Sequence, residues 1–362
     1  MTDSGGAPEQ TRPTAILVSG MHRSGTSALT RMLSLLGAGL PQHLIPGRER
    51  DNAPGFWEGR SVVDLNEDVL ARRDQWWGGW GRLDPAWLRR RAGLVRQVQQ
   101  ILAGEFGGEE QIVIKDPRLS RTMPLWIKAL EEGGYRCVHV VAVRDPQAVA
   151  GSIRSRNGLD PRGSLLSWLA HSLDAEEHTR EAARVFVSFE ALLADWRREA
   201  DRIGSALAID WSRDPGEAAS EIDEFLRPDL VHEAAARKPG RPYSVVAPVA
   251  RVLRRWSADE VRRQDAAQLD GWREQLAPVR GAASPVTHLA RLREETLAKR
   301  RRATAEVPAQ AWIRMRTEAL DLEAAQAWAQ LTRQRAQARA LRSAERELDR
   351  LRRLIADAEA RP

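Results

Sequence analysis

Residues 16–31, Ile-Leu-Val-Ser-Gly-Met-His-Arg-Ser-Gly-Thr-Ser-Ala-Leu-Thr-Arg, join an apolar run to two spaced glycines and then to an amphipathic stretch. Ala15-Ile16-Leu17-Val18 is continuously apolar, as a parallel strand buried on both faces must be. From Ser27 onward, Leu29, Met32, Leu33 and Leu36 form one stripe at helical spacing, and Gly37 closes it. Gly20 and Gly25 occupy the glycine positions of G-x-x-x-x-G-K-[ST], and Ser27 supplies the final hydroxyl. The motif's lysine is replaced by Thr26, and a cation stands earlier, as Arg23. The N–H groups of such a loop and of the helix after it make a positive concavity for an anion. The missing lysine argues that this anion is not a Mg-bound triphosphate.

The same alternation continues along the chain. Ile112-Val113-Ile114 ends in Lys115-Asp116-Pro117-Arg118, with a helix expected near Pro124 carrying Leu125, Trp126, Ile127 and Leu130. Val138–Val143 ends in Arg144-Asp145-Pro146, where Asp145 can cap a helix that Pro146 begins. Val185-Phe186-Val187 is followed by Glu190-Ala191-Leu192-Leu193. Strands alternating with helices predict an α/β fold, a P-loop-type parallel sheet flanked by helices. Ligands in such sheets lie at the carboxyl ends of the strands. Those ends carry Arg23, Lys115 and Arg144, the pattern of a polyanion site.

Composition bounds the remainder. A chain of 362 residues can bury one substantial core and carry an appendage. A polar, partly acidic N-terminus and the lack of a long apolar run lead to the expectation of a soluble, cytoplasmic protein. The single cysteine, Cys137, excludes an internal disulfide framework. Abundant Ala and Arg suit a GC-rich bacterial gene. The net charge of +6 belongs to residues 291–362, which hold 17 Lys/Arg against 11 Asp/Glu, so the rest is neutral overall. Such a body has no need of a nucleic-acid partner, and no nucleic-acid motif is present. The seven histidines are scattered and suggest no metal site.

The expected organisation is a disordered segment 1–13, an α/β domain 14–280, and a helical, basic tail 285–362. Within the domain, residues 51–90 are an insertion containing Trp57, Trp76, Trp77, Trp80 and Trp87. These tryptophans are either a core patch or an aromatic wall over an acceptor. In the tail, Leu341, Ala344, Leu348, Leu351 and Ile355 make a short heptad seam, predicting a long-helix or coiled-coil extension. That helix packs back on the body, stands solvated, forms a homodimer, or meets an anionic membrane. The sequence does not choose among these.

Together these blocks resemble the sulfotransferase superfamily, whose donor is 3′-phosphoadenosine 5′-phosphosulfate (PAPS). Gly20-Met21-His22-Arg23-Ser24-Gly25-Thr26-Ser27 is similar to the loop that holds the donor's 5′-phosphosulfate. Val143-Arg144-Asp145-Pro146 with Ser152 resembles the 3′-phosphate site, an Arg at a strand end and a Ser eight residues on. Arg156 lies one turn past Ser152 on the same helical face. Lys115-Asp116-Pro117 is similar to a segment of tyrosylprotein sulfotransferases and related bacterial enzymes, where the Lys stabilises the transferring group. Pro-Gly-Phe-Trp-Glu, residues 54–58, resembles the region supplying their catalytic carboxylate. Ser188–Leu193 is similar to a Tyr-Glu-x-Leu stretch found after the 3′-phosphate block. The resemblance covers roughly residues 14–240. Two departures stand out: Arg23 replaces the Lys of many cytosolic relatives, and their glycine-rich adenine motif has no clear match.

The resemblance implies a PAPS-dependent sulfotransferase with no required metal. Its implied catalytic residues are Glu58 as base, with Arg23 and Lys115. Arg23, Ser24, Gly25, Thr26, Ser27, Arg144, Ser152 and Arg156 would hold the donor. His22 and His43 are rival bases. The relatives act on sugars, lipids, peptides and natural products; the Trp-rich insertion favours a ring-containing, hydroxyl-bearing acceptor, a carbohydrate, glycolipid or natural product, with a tyrosine-containing peptide as the alternative. A P-loop kinase, whose Mg-binding carboxylates could only be Asp116 and Asp145, and a non-catalytic scaffold are the competing classes.

Overall fold

Four parallel strands in the order β2-β1-β3-β4 form the centre of the computed structural model. It describes residues 12–47, 55–73, 75–157, 159–226, 241–281, 328 and 330–332. The strands are β1 (Thr14–Ser19), β2 (Gln111–Lys115), β3 (Arg136–Val143) and β4 (Arg184–Ser188). Helix α1 (Thr26–Leu35) follows β1, and α2 (Arg60–Ala71), α3 (Pro85–Arg89) and α4 (Ala92–Phe106) lead to β2. Helix α5 (Leu119–Glu132) crosses to β3, and α6 (Pro146–Asn157) with α7 (Pro161–Thr179) crosses to β4. Then come α8 (Phe189–Ala194), α9 (Trp196–Leu207), α10 (Pro215–Phe225), α11 (Arg241–Trp256) and α12 (Asp265–Gly281). The fold is α/β with a parallel sheet flanked by helices, the class expected from the sequence.

The apolar run of β1 explains itself in the packing. Ile16 and Val18 enter a cluster with α1, α9 and α10, while Ala15 and Leu17 enter one with α2, α4 and α5. Side chains alternate across the sheet, so a strand covered on both faces must be apolar at every position. Leu17 pairs with Ile114 on one side and His139 on the other. A third cluster joins Val141 and Val143 to α6, α7, α11 and α12. Leu331 is buried there and Trp328 packs beside it, so this piece of the tail lies against the body. The heptad seam at 341–355, and any dimer or membrane contact it makes, lies outside the described residues. No helix among the described residues is long and apolar enough to cross a membrane.

Helix α5 corrects the boundary expected near Pro124. It begins at Leu119 and contains Pro124 within it. Proline has no N–H to bond the carbonyl four residues back, which is that of Ser120. The ring Nδ1 of His178, on α7, lies 3.1 Å from that carbonyl and fills the role. A contact distant in sequence therefore allows a proline that local rules place at a helix start. Asp145 does cap α6 as expected, accepting from the N–H groups of Gln147 and Ala148 at 2.8 and 3.1 Å.

Candidate active site

The glycine loop is held from below. Gly20 has φ +131°, and a Cβ there would sit 2.7 Å from the Ala142 carbonyl oxygen of β3. Gly25 has φ +89°, and a Cβ there would run into the Phe189 ring. Only glycine meets both demands at once, positive φ and close approach. The N–H of Gly20 donates to Ser120 Oγ at 3.0 Å, tying the loop to α5. Arg23 itself has φ +68°, an uncommon value for a residue with a side chain.

Two groups of polar side chains flank this loop. On one side, Arg23 Nε donates to Ser152 Oγ of α6 at 2.8 Å, and Arg144 Nη1 donates to the Arg23 carbonyl at 2.9 Å. The Arg144 guanidinium lies 4.7 Å from the centre of the Phe189 ring. Arg156, farther along α6, lies 5.7 Å from the Phe56 ring. The structure therefore turns Arg23 toward the block at the end of β3, not toward Lys115.

On the other side, Lys115 Nζ at the end of β2 donates to Glu58 Oε1 at 2.5 Å, to the Phe56 carbonyl at 2.9 Å, and to Ser27 Oγ at 3.1 Å. Both members of the ion pair are buried. Asp116, next to Lys115 in sequence, is engaged elsewhere. It accepts from Asn66 Nδ2 at 2.8 Å and from the backbone N–H and Nη1 of Arg118, each at 2.9 Å. Arg118 reaches on to Glu67 at 2.6 Å.

Thr26 and Ser24 are buried within the loop, and Ser24 Oγ has no hydrogen-bond partner among the described residues. A buried hydroxyl lacking a partner is costly unless a ligand satisfies it. That orphan, the Cβ-free cradle and the flanking arginines fit a phosphate-bearing ligand such as PAPS. Ser24, Gly25, Thr26 and Ser27 belong to the loop, and Ser152 and Arg144 meet it at Arg23.

The rival bases separate. His43 hydrogen-bonds Glu105 of α4, through its N–H at 3.0 Å and its ring at 3.3 Å, and does not join the loop. His22 stays at the loop, 4.7 Å from the Trp77 ring. Burial pushes the His22 imidazole well below its ordinary range, and Arg118, His171, Lys115 and Arg156 add to the effect.

The tryptophans of the insertion do not form one wall. Trp80 is buried with the α7–α11–α12 cluster, and Trp87 packs against the cluster containing α4 and α5. Trp57 faces Phe225 and lies under Arg31 at 4.5 Å. Trp76 and Trp77 pair at 5.0 Å, and Trp77 meets the loop at His22. Their segment is fastened by its carbonyls. Trp77 bonds His171 Nε2 at 3.0 Å, Gly79 bonds Arg121 Nη1 at 2.8 Å, Gly78 bonds Ser167, and Gly81 bonds Arg121 Nη2. The sequence blocks do not single out Ser120, Asn66 or Arg121. Each is polar on a helix face that periodicity assigns to packing.

Fold and site together define a P-loop-type α/β protein with Arg23, Arg144 and Lys115 gathered around a glycine loop at the strand ends. No protein-family model matches the sequence, and comparison with curated proteins finds no match. Solved structures similar to it include the sulfotransferase domain of the Synechococcus PCC 7002 olefin synthase. There the TM-score is 0.39 and the identity 17%, over 67% of this chain and 96% of that one. The sulfotransferase domain of the curacin biosynthetic pathway overlaps with TM-score 0.36 and 16% identity, over 65% and 96% of the two chains. Retinol dehydratase in complex with androsterone and the inactive cofactor PAP overlaps with TM-score 0.32 and 16% identity, over 74% and 82%.

Proposed function

We propose that this chain is a sulfotransferase carrying a sulfuryl group from PAPS to the hydroxyl of a carbohydrate, glycolipid or natural product. One observation carries the reading: the loop has a cation at each side, Arg23 on Ser152 at 2.8 Å and Lys115 on Glu58 at 2.5 Å. Bound there, the donor supplies a sulfuryl group whose bond to the 5′-phosphate oxygen breaks as the acceptor oxygen bonds sulfur. The leaving phosphate takes the electron pair.

Arg23 and the loop N–H groups would hold the donor's 5′ end, and Lys115 would offset the negative charge that grows on the transferring group, a matter of positioning and electrostatics. Glu58 would accept the acceptor hydroxyl's proton, a role worth roughly 10²–10⁴-fold in rate. His22 suits that role less, because burial suppresses its basicity and a general base works best with a pKa near the operating pH. The kinase reading needs a carboxylate free for Mg²⁺. Asp116 is taken by Arg118 and Asn66, and Asp145 caps α6.

The test is calorimetric titration with 3′-phosphoadenosine 5′-phosphate beside MgATP and ADP. Binding of the bisphosphate, weakened at least about tenfold in Arg144→Ala and Ser152→Ala, is the expected result; one lost charged hydrogen bond is worth that much. MgATP binding with no preference for the 3′-phosphate would replace the proposal with a kinase.

A further inference from the structure

Although residues 1–290 are neutral in sum, their charge is not evenly spread. Residues 72–96 contain seven arginines, against Asp74 and Asp84. All seven arginines are exposed. Arg72 pairs with Asp68 at 2.8 Å, Arg82 with Glu177 at 2.6 Å, and Arg90 reaches Asp84 at 3.9 Å. Arg73, Arg89, Arg91 and Arg96 have no acidic partner among the described residues. Along the chain they fall at the end of α2, the α3–α4 junction and the first turns of α4, and Arg73 and Arg91 meet on one ring. Half-buried Trp87 of α3 stands among them, with Arg73 5.3 Å and Arg91 5.0 Å from its ring centre.

We propose that the Arg73, Trp87, Arg89, Arg91 and Arg96 surface docks the protein on an anionic lipid membrane. The charge is complementary to such a surface, where each nearby arginine contributes about fivefold in affinity. Trp87 is the side chain suited to the headgroup layer, apolar in body and polar at its N–H. Two guanidinium groups engage its ring, which disfavours the open aromatic platform that single-stranded nucleic acid uses. The fastened segment carrying Trp76 and Trp77 runs directly into α3. The docking does not depend on the sulfotransferase reading.

The test is co-sedimentation of the full chain with phosphatidylcholine vesicles, with and without one third phosphatidylglycerol, at physiological salt. The expected result is binding to the anionic vesicles only, weakened at least about tenfold in Arg89→Glu/Arg91→Glu/Arg96→Glu. Arg89→Gln/Arg91→Gln/Arg96→Gln should show a smaller loss, with circular dichroism confirming that both variants fold. Equal binding by wild type and the Glu variant would assign the attraction to the basic stretch 291–362 and overturn the proposal. So would absence of binding. Binding of double-stranded RNA, but not vesicles, through the same arginines would also overturn it, in favour of a nucleic-acid surface.

Discussion

Lys115 and Glu58, 57 residues apart in sequence, meet at 2.5 Å beside the glycine loop, with both side chains buried. A buried ion pair costs desolvation on both sides and contributes little net stability. Its placement beside Ser27 is what gives it significance. Lys115 also holds the Phe56 carbonyl, so the segment carrying Glu58 is fixed to β2 and to the loop together.

Glu58→Gln tests the pair. The amide keeps a hydrogen-bond acceptor for Lys115 but loses the charge and the basicity. Turnover is expected to fall by roughly 10²–10⁴, with affinity for 3′-phosphoadenosine 5′-phosphate changed only a few-fold. A modest loss of thermal stability should accompany it, because Lys115 stays buried without its counter-charge. Steady-state kinetics beside calorimetry reads both effects, and unchanged turnover would remove Glu58 from the role of base.

Ser120→Ala tests how the loop is held. The substitution leaves the Gly20 N–H, now bonded at 3.0 Å, without its acceptor in a buried place. An unsatisfied buried donor costs about 1–3 kcal/mol. The melting temperature should fall, and bisphosphate binding should weaken because the cradle loses an anchor. Wild-type values of both would show that the loop needs no support from α5.

Asp174→Ala tests the polar centre behind the Trp76–Gly81 segment. Burial opposes the charge of Asp174, yet Arg280 and Arg121 hold its carboxyl well below the usual carboxylate range. Arg280 bonds both oxygens at 2.6 Å, and Arg121 Nε lies 2.9 Å away. Removing the shared carboxylate strands two buried guanidinium groups, one of which holds the carbonyls of Gly79 and Gly81. A loss of about 3–5 kcal/mol is expected, measurable by urea denaturation. Asp174→Asn should lose less.

Much of the sheet was readable because its signals are local. A strand buried on both faces announces itself by an unbroken apolar run, as Ala15–Val18 does, and the Gly20/Gly25 spacing marks the turn that follows. Asp145 and Pro146 identify the start of α6 within two residues. What could not be read depends on contacts distant in the chain. Pro124 sits inside α5 because His178 serves the Ser120 carbonyl, and no window around residue 120 contains residue 178. The partner of Lys115 was likewise hidden: adjacent Asp116 is nearer in sequence, but Arg118 and Asn66 occupy it. The tryptophans of 51–90 share a segment yet disperse into different clusters, because composition does not encode the direction each side chain takes.

Acid should weaken the fold through its buried histidines. His139 on β3 is fully buried, with neither ring nitrogen hydrogen-bonded among the described residues. Burial, with Arg184 adding to it, pushes its pKa from 6.5 down to about 3. His22, His171 and His178 are lowered as well, each chiefly by burial. A histidine that is neutral when folded and protonated when unfolded makes the unfolded state bind more protons between the two pKa values. Stability therefore rises with pH in that window and is lost as pH falls. For His139 the contribution is complete above about 6.5 and diminishes toward about 3. Urea denaturation from neutral pH down to pH about 4.5 should show a falling midpoint while Asp174, held low by Arg280 and Arg121, remains ionised. His139→Leu, similar in size and with nothing to protonate, should flatten part of that slope without changing the neutral-pH fold. A slope identical to wild type would mean that His139 gains its proton without leaving the folded state.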